Sequence, residues 1–191
     1  LAWIFGYGIA MVVLEHVAFT LLQPWLTDAL DKTPDELGNT PLLSGALIAV
    51  VSLIGAVFAR SSMRMSNAFG LNTTLVGLGA LSALIVTTMA ISTSMAVIAV
   101  IAFRSAQGSA APVLISAAVA PKLEQRHRAT FLSLDSLAGR LSYGTILLVV
   151  ATDIDDNVGE GLTRLSIISW VIVSATAISA LIVRRRARSL G

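Results

Sequence analysis

Residues 71–91 read LNTTLVGLGALSALIVTTMAI and contain no charged side chain. A helix of about 20 mostly apolar residues is long enough to cross the hydrocarbon core of a bilayer. Five other stretches have the same character. The sequence therefore predicts an all-α fold, a polytopic bundle of six transmembrane helices at about 1–26, 41–60, 71–91, 95–119, 129–152 and 165–183.

The composition also indicates that lipid is the solvent for most of the chain. Of its 191 residues 55% are hydrophobic and 13% are charged, with a mean hydropathy of +0.84, whereas a soluble domain carries about 25% charged residues. The absence of cysteine excludes disulfides, thiolate metal sites and cysteine nucleophiles. Because Leu1 already lies in an apolar run with no Met and no charged segment before it, we expect a segment of a longer chain rather than a signal peptide.

The predicted loops differ in charge. Pro24 is expected to end the first helix, and the loops are expected at 28–39, 60–70, 92–94, 121–128 and 153–164. The loops at 60–70 and 121–128, with the C-terminal tail, hold nine of the 13 Lys and Arg residues, while the other side holds two of them and eight acidic residues. Short cytoplasmic loops carry the excess of Lys and Arg, so the pattern predicts cytoplasmic N and C termini. The arginine-rich tail is expected to anchor the last helix, with binding of anionic lipid as an accessory role.

A few ionisable residues fall inside the predicted spans. An ionised group near the bilayer centre costs about 2.5–3.5 kcal/mol on insertion scales, so such groups face protein or a wet cavity and are functional candidates. His16 is of particular interest because its unperturbed pKa lies near neutrality. The candidates for substrate or proton binding are Glu15, His16, Arg104, Gln107, Asp135 and Arg140.

Helical periodicity places these residues on polar arcs of the first, fourth and fifth helices. The arc of the first helix holds Gly8, Glu15, His16, Thr20 and Gln23. The arc of the fifth holds Asp135, Ser136, Gly139, Arg140 and Tyr143, and the fourth helix carries Pro112, placed to kink it. The third and sixth helices carry no charge, so they are expected to face lipid and to satisfy their hydroxyl groups on their own backbones.

Two interpretations of the buried charges stay open. In the first they contact substrate or protons. In the second they are structural ion pairs, Glu15 with Arg104, and Asp135 with Arg140 of a neighbouring copy or with the missing half of the protein. A direct pair between Asp135 and Arg140 is not expected, because the two are about 140° apart on one helix.

The fourth and fifth helices carry the most specific motif. Phe103-Arg104-Ser105 is followed by Gly108, Pro112 and Pro121, and then by the run RATFLSLDSL at 128–137 and GRLSYG at 139–144. This pattern resembles the tenth and eleventh helices of major facilitator superfamily transporters. LQPWL at 22–26 resembles the end of that family's seventh helix. The stretch from Gly55 to Gly70 resembles a degenerate copy of its signature loop, without the usual Asp.

The resemblance covers the whole chain and implies half of a twelve-helix transporter, with inverted three-helix repeats and alternating access. Residues 1–191 would form the C-terminal half, with the first and fourth helices lining a cavity and the second and fifth contacting the missing N-terminal half. The resemblance places Arg128, Thr130 and Ser133 at a cytoplasmic gate. It implies a small-molecule substrate, with or without proton coupling.

Other classes of function fit less well. An intramembrane serine protease needs a nucleophile with a His base, yet no Gly-x-Ser-x-Gly occurs and His127 lies in a basic loop. Metal-ligand spacing, a cofactor motif and a nucleic-acid-binding pattern are also missing from the sequence. We therefore expect a non-enzymatic protein of the plasma membrane, in particular a bacterial inner membrane. The alternative to a transporter is a six-helix membrane receptor or scaffold.

Overall fold

The computed structural model describes residues 2–30, 41–151 and 158–189, and this part of the chain is helical except at short turns, without a β-strand. The helices are α1 (Ala2–Leu30), α2 (Pro41–Phe69), α3 (Leu71–Ile91), α4 (Met95–Ile101), α5 (Ser105–Val119), α6 (Gln125–Ala151) and α7 (Val158–Ser189). Short 3-10 turns at Ala102–Arg104 and Ala120–Lys122 follow α4 and α5. The all-α prediction is confirmed for these residues.

Five segments of the described chain are long and apolar enough to cross a membrane: Ala2–Leu26, Ile48–Phe69, Leu71–Ile91, Ala96–Lys122 and Val158–Arg185. The fourth combines α4 and α5. Helix α6 has 27 residues, which is also long enough. Asp135, Arg140 and several hydroxyl groups lie within it.

Several predicted helix ends were wrong. Helix α1 continues through Pro24 to Leu30, and α2 continues to Phe69, so most of the predicted basic loop at 60–70 is helical. Arginine is a good helix former, and a helix can extend past the hydrocarbon core. The chain turns at Gly70, whose φ of 85° suits glycine.

The last helix was also predicted too short. Helix α7 begins at Val158, so the predicted loop at 153–164 is helical in its second half, and it continues through Arg184 and Arg185 to Ser189. Acidic residues such as Glu160 stabilise a first turn through the helix dipole. Residues 28–30 of the predicted acidic loop at 28–39 belong to α1, and residues 31–40 and 152–157 lie outside the described residues.

The fourth span is interrupted, but the interruption is not at Pro112. Helix α5 runs through Pro112 from Ser105 to Val119, and the change of helix type occurs at the 3-10 turn Ala102–Arg104. This turn carries Arg104. The tighter backbone therefore coincides with the charged residue of this span.

Three close helix pairs build the bundle: α1 with α6, α2 with α5, and α3 with α7. Helix α1 also packs on α3, α5 and α7. Contacts give the directions: Tyr7 and Trp25 of α1 donate hydrogen bonds to the carbonyls of Leu75 and Met89 of α3, so these helices are parallel. At the other end of the chain, Trp3 donates to the carbonyl of Thr176, which places the start of α1 beside the later part of α7.

The core consists of two clusters of buried apolar side chains. The first lies mainly among α1, α3 and α5, and the second lies among α1, α3, α4 and α7. Helix α3 contributes to both clusters, so it is more enclosed than the lipid-facing helix that was expected. Helix α7 does carry exposed apolar side chains such as Ile167 and Val171 on its outer face. Hydroxyl groups on both helices bond to their own backbones, as Thr74 and Ser169 do, which confirms that expectation.

Candidate polar site between helices α1, α5 and α6

Glu15 lies half-buried on α1, and its carboxylate packs against Gly108 of α5. A β-carbon added at Gly108 would overlap that carboxylate. The absence of a side chain at Gly108 thus creates the space that Glu15 fills. The acid predicted from the polar arc of the first helix is held between two helices.

Arg104 lies near Glu15, but the two do not form the ion pair that the structural interpretation of the buried charges would require. Their charged groups are close enough to attract each other but lie farther apart than the 4.0 Å of a salt bridge. The Arg104 guanidinium packs over the ring of Phe19, with 4.6 Å between Cζ and the ring centroid. This is a cation–π contact.

Both side chains line a small, mostly apolar cavity of about 20 Å³ among α1, α3 and the end of α4. A cavity of about 10–15 Å³ is enough for one water molecule when polar partners are present. Glu15 and Arg104 supply such partners. The cavity could therefore hold a water between the two charged groups but is too small for a solute.

Asp135 of α6 packs against Gly8 of α1. A β-carbon built at Gly8 would lie 2.6 Å from Asp135 Oδ1. This oxygen is buried and has no hydrogen-bond donor among the described residues, and Gln107, which is 3% exposed, has an equally unpartnered Oε1. No described cation pairs with Asp135. Unsatisfied buried acceptors are rare and call for a proton, a water or a ligand.

His16 belongs to a third group that bridges α1 and α6. Its Nδ1 lies 2.9 Å from the carbonyl oxygen of Val12, and its ring lies beside that of Tyr143, with 5.5 Å between centroids. The Tyr143 hydroxyl is 3.0 Å from Thr20 Oγ1, which also bonds to the His16 carbonyl. His16 and Thr20 are exposed, and Tyr143 is half-buried.

The remaining predicted residues lie outside these contacts. Arg140 is exposed on α6 and makes no pair with Asp135, as expected. Of the predicted gate residues, Arg128, Thr130 and Ser133 are all exposed near the start of α6. Arg128 Nε donates to the carbonyl of Leu123, 3.1 Å away, and so braces the turn that precedes the helix.

Sequence reasoning missed the residues that contact the ionisable side chains. Gly108, Phe19 and Val12 were not singled out as partners, and Gly8 and Tyr143 were noted only as members of arcs. Spacing along one helix shows which residues share a face, but it carries no information about which residue of another helix lies opposite. Glycine within an apolar span was the available signal, because small residues let membrane helices approach closely.

The fold and the site define an all-helical protein with membrane-length apolar helices and ionisable side chains inside the bundle. No group of three His, Asp or Glu residues in the described part of the chain could hold a metal ion. No protein-family profile, curated protein or solved structure matches the chain. Its function is therefore inferred from the residues and packing described above.

Proposed function

We propose that the chain is the C-terminal six-helix half of a secondary active transporter of the major facilitator type, which moves a small solute by alternating access with proton coupling. The observation that carries the proposal is the placement of Glu15, Arg104 and Asp135 within membrane-length helices, half-buried and without salt bridges to one another. Such groups are costly in a membrane and mark substrate and proton pathways.

The helix pairing supports an inverted repeat of three helices. Counted along the chain, the six spans are α1, α2, α3, α4 together with α5, α6, and α7. If spans one, two and three are exchanged with spans four, five and six, the α1–α6 pair (spans one and five) becomes the pair of spans four and two. This corresponds to the observed α2–α5 pair, and the α3–α7 pair is converted into itself. An odd number of spans per repeat reverses the second repeat in the membrane, which is the arrangement of many secondary transporters.

The outer surface of α6 supports a missing N-terminal half. Ser133, Ser136 and Arg140 are all exposed on this helix. Contact of Arg140 with lipid near mid-span would cost about 2.5–3.5 kcal/mol. Helix α2 is also largely exposed, with Leu53 and Val57 uncovered. A second half that packs on α2 and α6 would cover both surfaces.

The distribution of charge supports the orientation and the location. The basic ends of α2 and α7 and the basic start of α6 would face the cytoplasm. Trp3 and Thr176 lie in contact, which is consistent with N and C termini on the same side. The proposed location is the plasma membrane, in particular a bacterial inner membrane.

The test is solute-driven proton movement by the full-length protein in proteoliposomes that contain the pH dye pyranine. Amines, sugars and carboxylic acids would be added in turn, with Glu15→Gln and Asp135→Asn compared with the wild type. We expect one solute class to move protons in the wild type and a loss of at least about tenfold in both variants, because each removes a titratable group from the span.

Glu124→Gln is the matched control, since Glu124 is exposed outside the span and pairs with Arg126; its activity should be unchanged. Unchanged proton movement in Glu15→Gln and Asp135→Asn would exclude those two acids from coupling. A protein that moves none of the solutes, with or without a gradient, would instead fit the receptor or scaffold alternative.

A further inference from the structure

We propose that His16, Thr20 and Tyr143 form a subsite that binds the protonated amine group of the transported solute, an inference that rests on the proposed transport function. The three residues form one cluster at the seam between α1 and α6. It combines a His–Tyr ring contact of 5.5 Å with a Thr–Tyr hydroxyl contact of 3.0 Å. The cluster is accessible because His16 and Thr20 are exposed.

The side-chain donor hydrogens of the cluster already take part in hydrogen bonds. A carbonyl oxygen only accepts, so His16 Nδ1 donates its hydrogen to the Val12 carbonyl. The single hydroxyl hydrogen of Thr20 goes to the His16 carbonyl, and the contact between Thr20 and Tyr143 is therefore donated by Tyr143. These bonds use every side-chain donor hydrogen of the three residues when the imidazole is neutral.

The cluster can therefore accept further hydrogen bonds but cannot donate any. His16 Nε2 has a free lone pair in the neutral imidazole, and the Tyr143 hydroxyl oxygen keeps lone pairs as well. A carboxylate or phosphate would find no donor here. An ammonium group has three donors and no acceptor, so it matches the cluster, and a neutral hydroxyl group matches it only through its one hydrogen.

The surroundings favour a positive charge for two further reasons. The half-buried Tyr143 ring has a π-system, and an ammonium group over such a ring is attracted by its quadrupole. The same seam carries Asp135, whose buried Oδ1 has no donor among the described residues. The guanidinium of Arg104 packs over the ring of Phe19, and Arg104 and Glu15 line the same small cavity.

Arg140 is the cation that could oppose this binding, because it lies three residues before Tyr143 on α6. Its side chain is exposed, whereas Gly139 next to it is buried against Val12 of α1. Successive residues are about 100° apart around a helix. Arg140 therefore lies about 100° from the Gly139 contact with α1, and its exposed side chain lies on the surface that the N-terminal half would cover.

The experiment measures binding to the purified full-length protein in detergent at neutral pH by isothermal titration calorimetry. Three probes share a phenyl body and differ in the head group: phenethylamine, 2-phenylethanol and 3-phenylpropanoate. We expect the protonated amine to bind at least about tenfold more tightly than the alcohol and the carboxylate. Equal binding of the three probes, including no binding at all, would overturn the proposal.

Variants locate the site. Tyr143→Phe keeps the ring and removes the hydroxyl acceptor, and a hydrogen bond to a charged group contributes about 1.5–3 kcal/mol, which converts to a loss of roughly tenfold or more in affinity. Thr145→Val is the matched control, because that exposed α6 hydroxyl bonds only to the Leu141 carbonyl of its own helix. Arg140→Gln should leave amine binding unchanged or stronger. Unchanged binding in Tyr143→Phe, or loss in either of the other two variants, would overturn the assignment.

Binding and transport can fail separately. Selective amine binding that Tyr143→Phe weakens, in a protein that moves no solute in proteoliposomes, would support the subsite and reject the transport function. Solute movement by a protein that does not discriminate among the three head groups would support transport and reject the subsite.

Discussion

At the scale of single residues, the polar atoms of this bundle fall into two kinds. The indole and phenol groups of Trp3, Tyr7 and Trp25 on α1 each donate a hydrogen bond to a carbonyl of another helix. The oxygens of Asp135 and Gln107 have none among the described residues. The first kind stabilises the fold, and the second kind is available for chemistry.

The hydrogen bond of Trp25 provides a test of this stabilising role. Trp25 is 1% exposed, and its Nε1 donates to the carbonyl of Met89, 3.0 Å away. Met89 lies in the last turn of α3, whose carbonyls have no partner within the helix. Trp25→Phe leaves that carbonyl unsatisfied and opens a cavity, so we expect thermal unfolding in detergent to show a loss of about 1–3 kcal/mol.

Trp170→Phe is the control for this prediction. Trp170 is 41% exposed and donates to the Thr87 hydroxyl, which has further contacts with the Ala83 carbonyl and with Ser166. Its replacement should cost clearly less stability. An equal or larger loss for Trp170→Phe would contradict the role given to the Trp25 bond.

At the scale of helices, the α1–α6 seam depends on glycine. Along this seam Phe5 contacts Phe131, Gly8 contacts Asp135, and Val12 contacts Gly139. The order of the contacts shows that α1 and α6 run parallel. Small residues at such a seam allow the backbones to approach closely enough for dispersion forces to hold membrane helices together.

Gly139→Ala should therefore separate α1 from α6. The added β-carbon would lie 2.9 Å from the Val12 β-carbon, which cannot move without the backbone. We expect thermal unfolding to show a loss of about 1–3 kcal/mol, the usual range for overpacking. Gly144→Ala is a matched control on the same helix, because nothing lies within 4 Å of the position.

The control should be neutral or stabilising by about 0.5–1 kcal/mol, since alanine favours a helix over glycine. Equal stability of the two variants would show that α1 and α6 do not pack this closely in the membrane.

At the scale of the whole molecule, the proposed orientation can be tested with single cysteines, because these 191 residues contain none. Asn67 near the end of α2 and Thr93 between α3 and α4 are both exposed and lie at opposite ends of α3. In intact cells that express a full-length protein free of other reactive cysteines, a membrane-impermeant maleimide should label Thr93→Cys and not Asn67→Cys.

Permeabilised cells are the control for this labelling, since both cysteines should then react. The reverse labelling would invert the topology, and labelling of both in intact cells would contradict a membrane-spanning α3.

The helical class and the approximate positions of the spans were predictable because hydropathy and helical period are local properties of the chain. The helix ends were less predictable, because a helix can extend beyond its apolar stretch. Helix α1 continues beyond Pro24, and α2 includes Arg60 and Arg64. The acids were found by their charge alone. Two interpretations were left open for Glu15 and Arg104, and the structure shows no salt bridge between them.

The sequence by itself determined that this protein consists of apolar helices long enough to cross a membrane, with a few ionisable residues among them. Only the tertiary structure decided that Glu15 packs on Gly108, that Asp135 packs on Gly8, and that Tyr143 bonds to Thr20, 123 positions away. The physical reason is that helix register depends on the shapes of two surfaces at once. Glycine on one helix matters only when the residue opposite it is known.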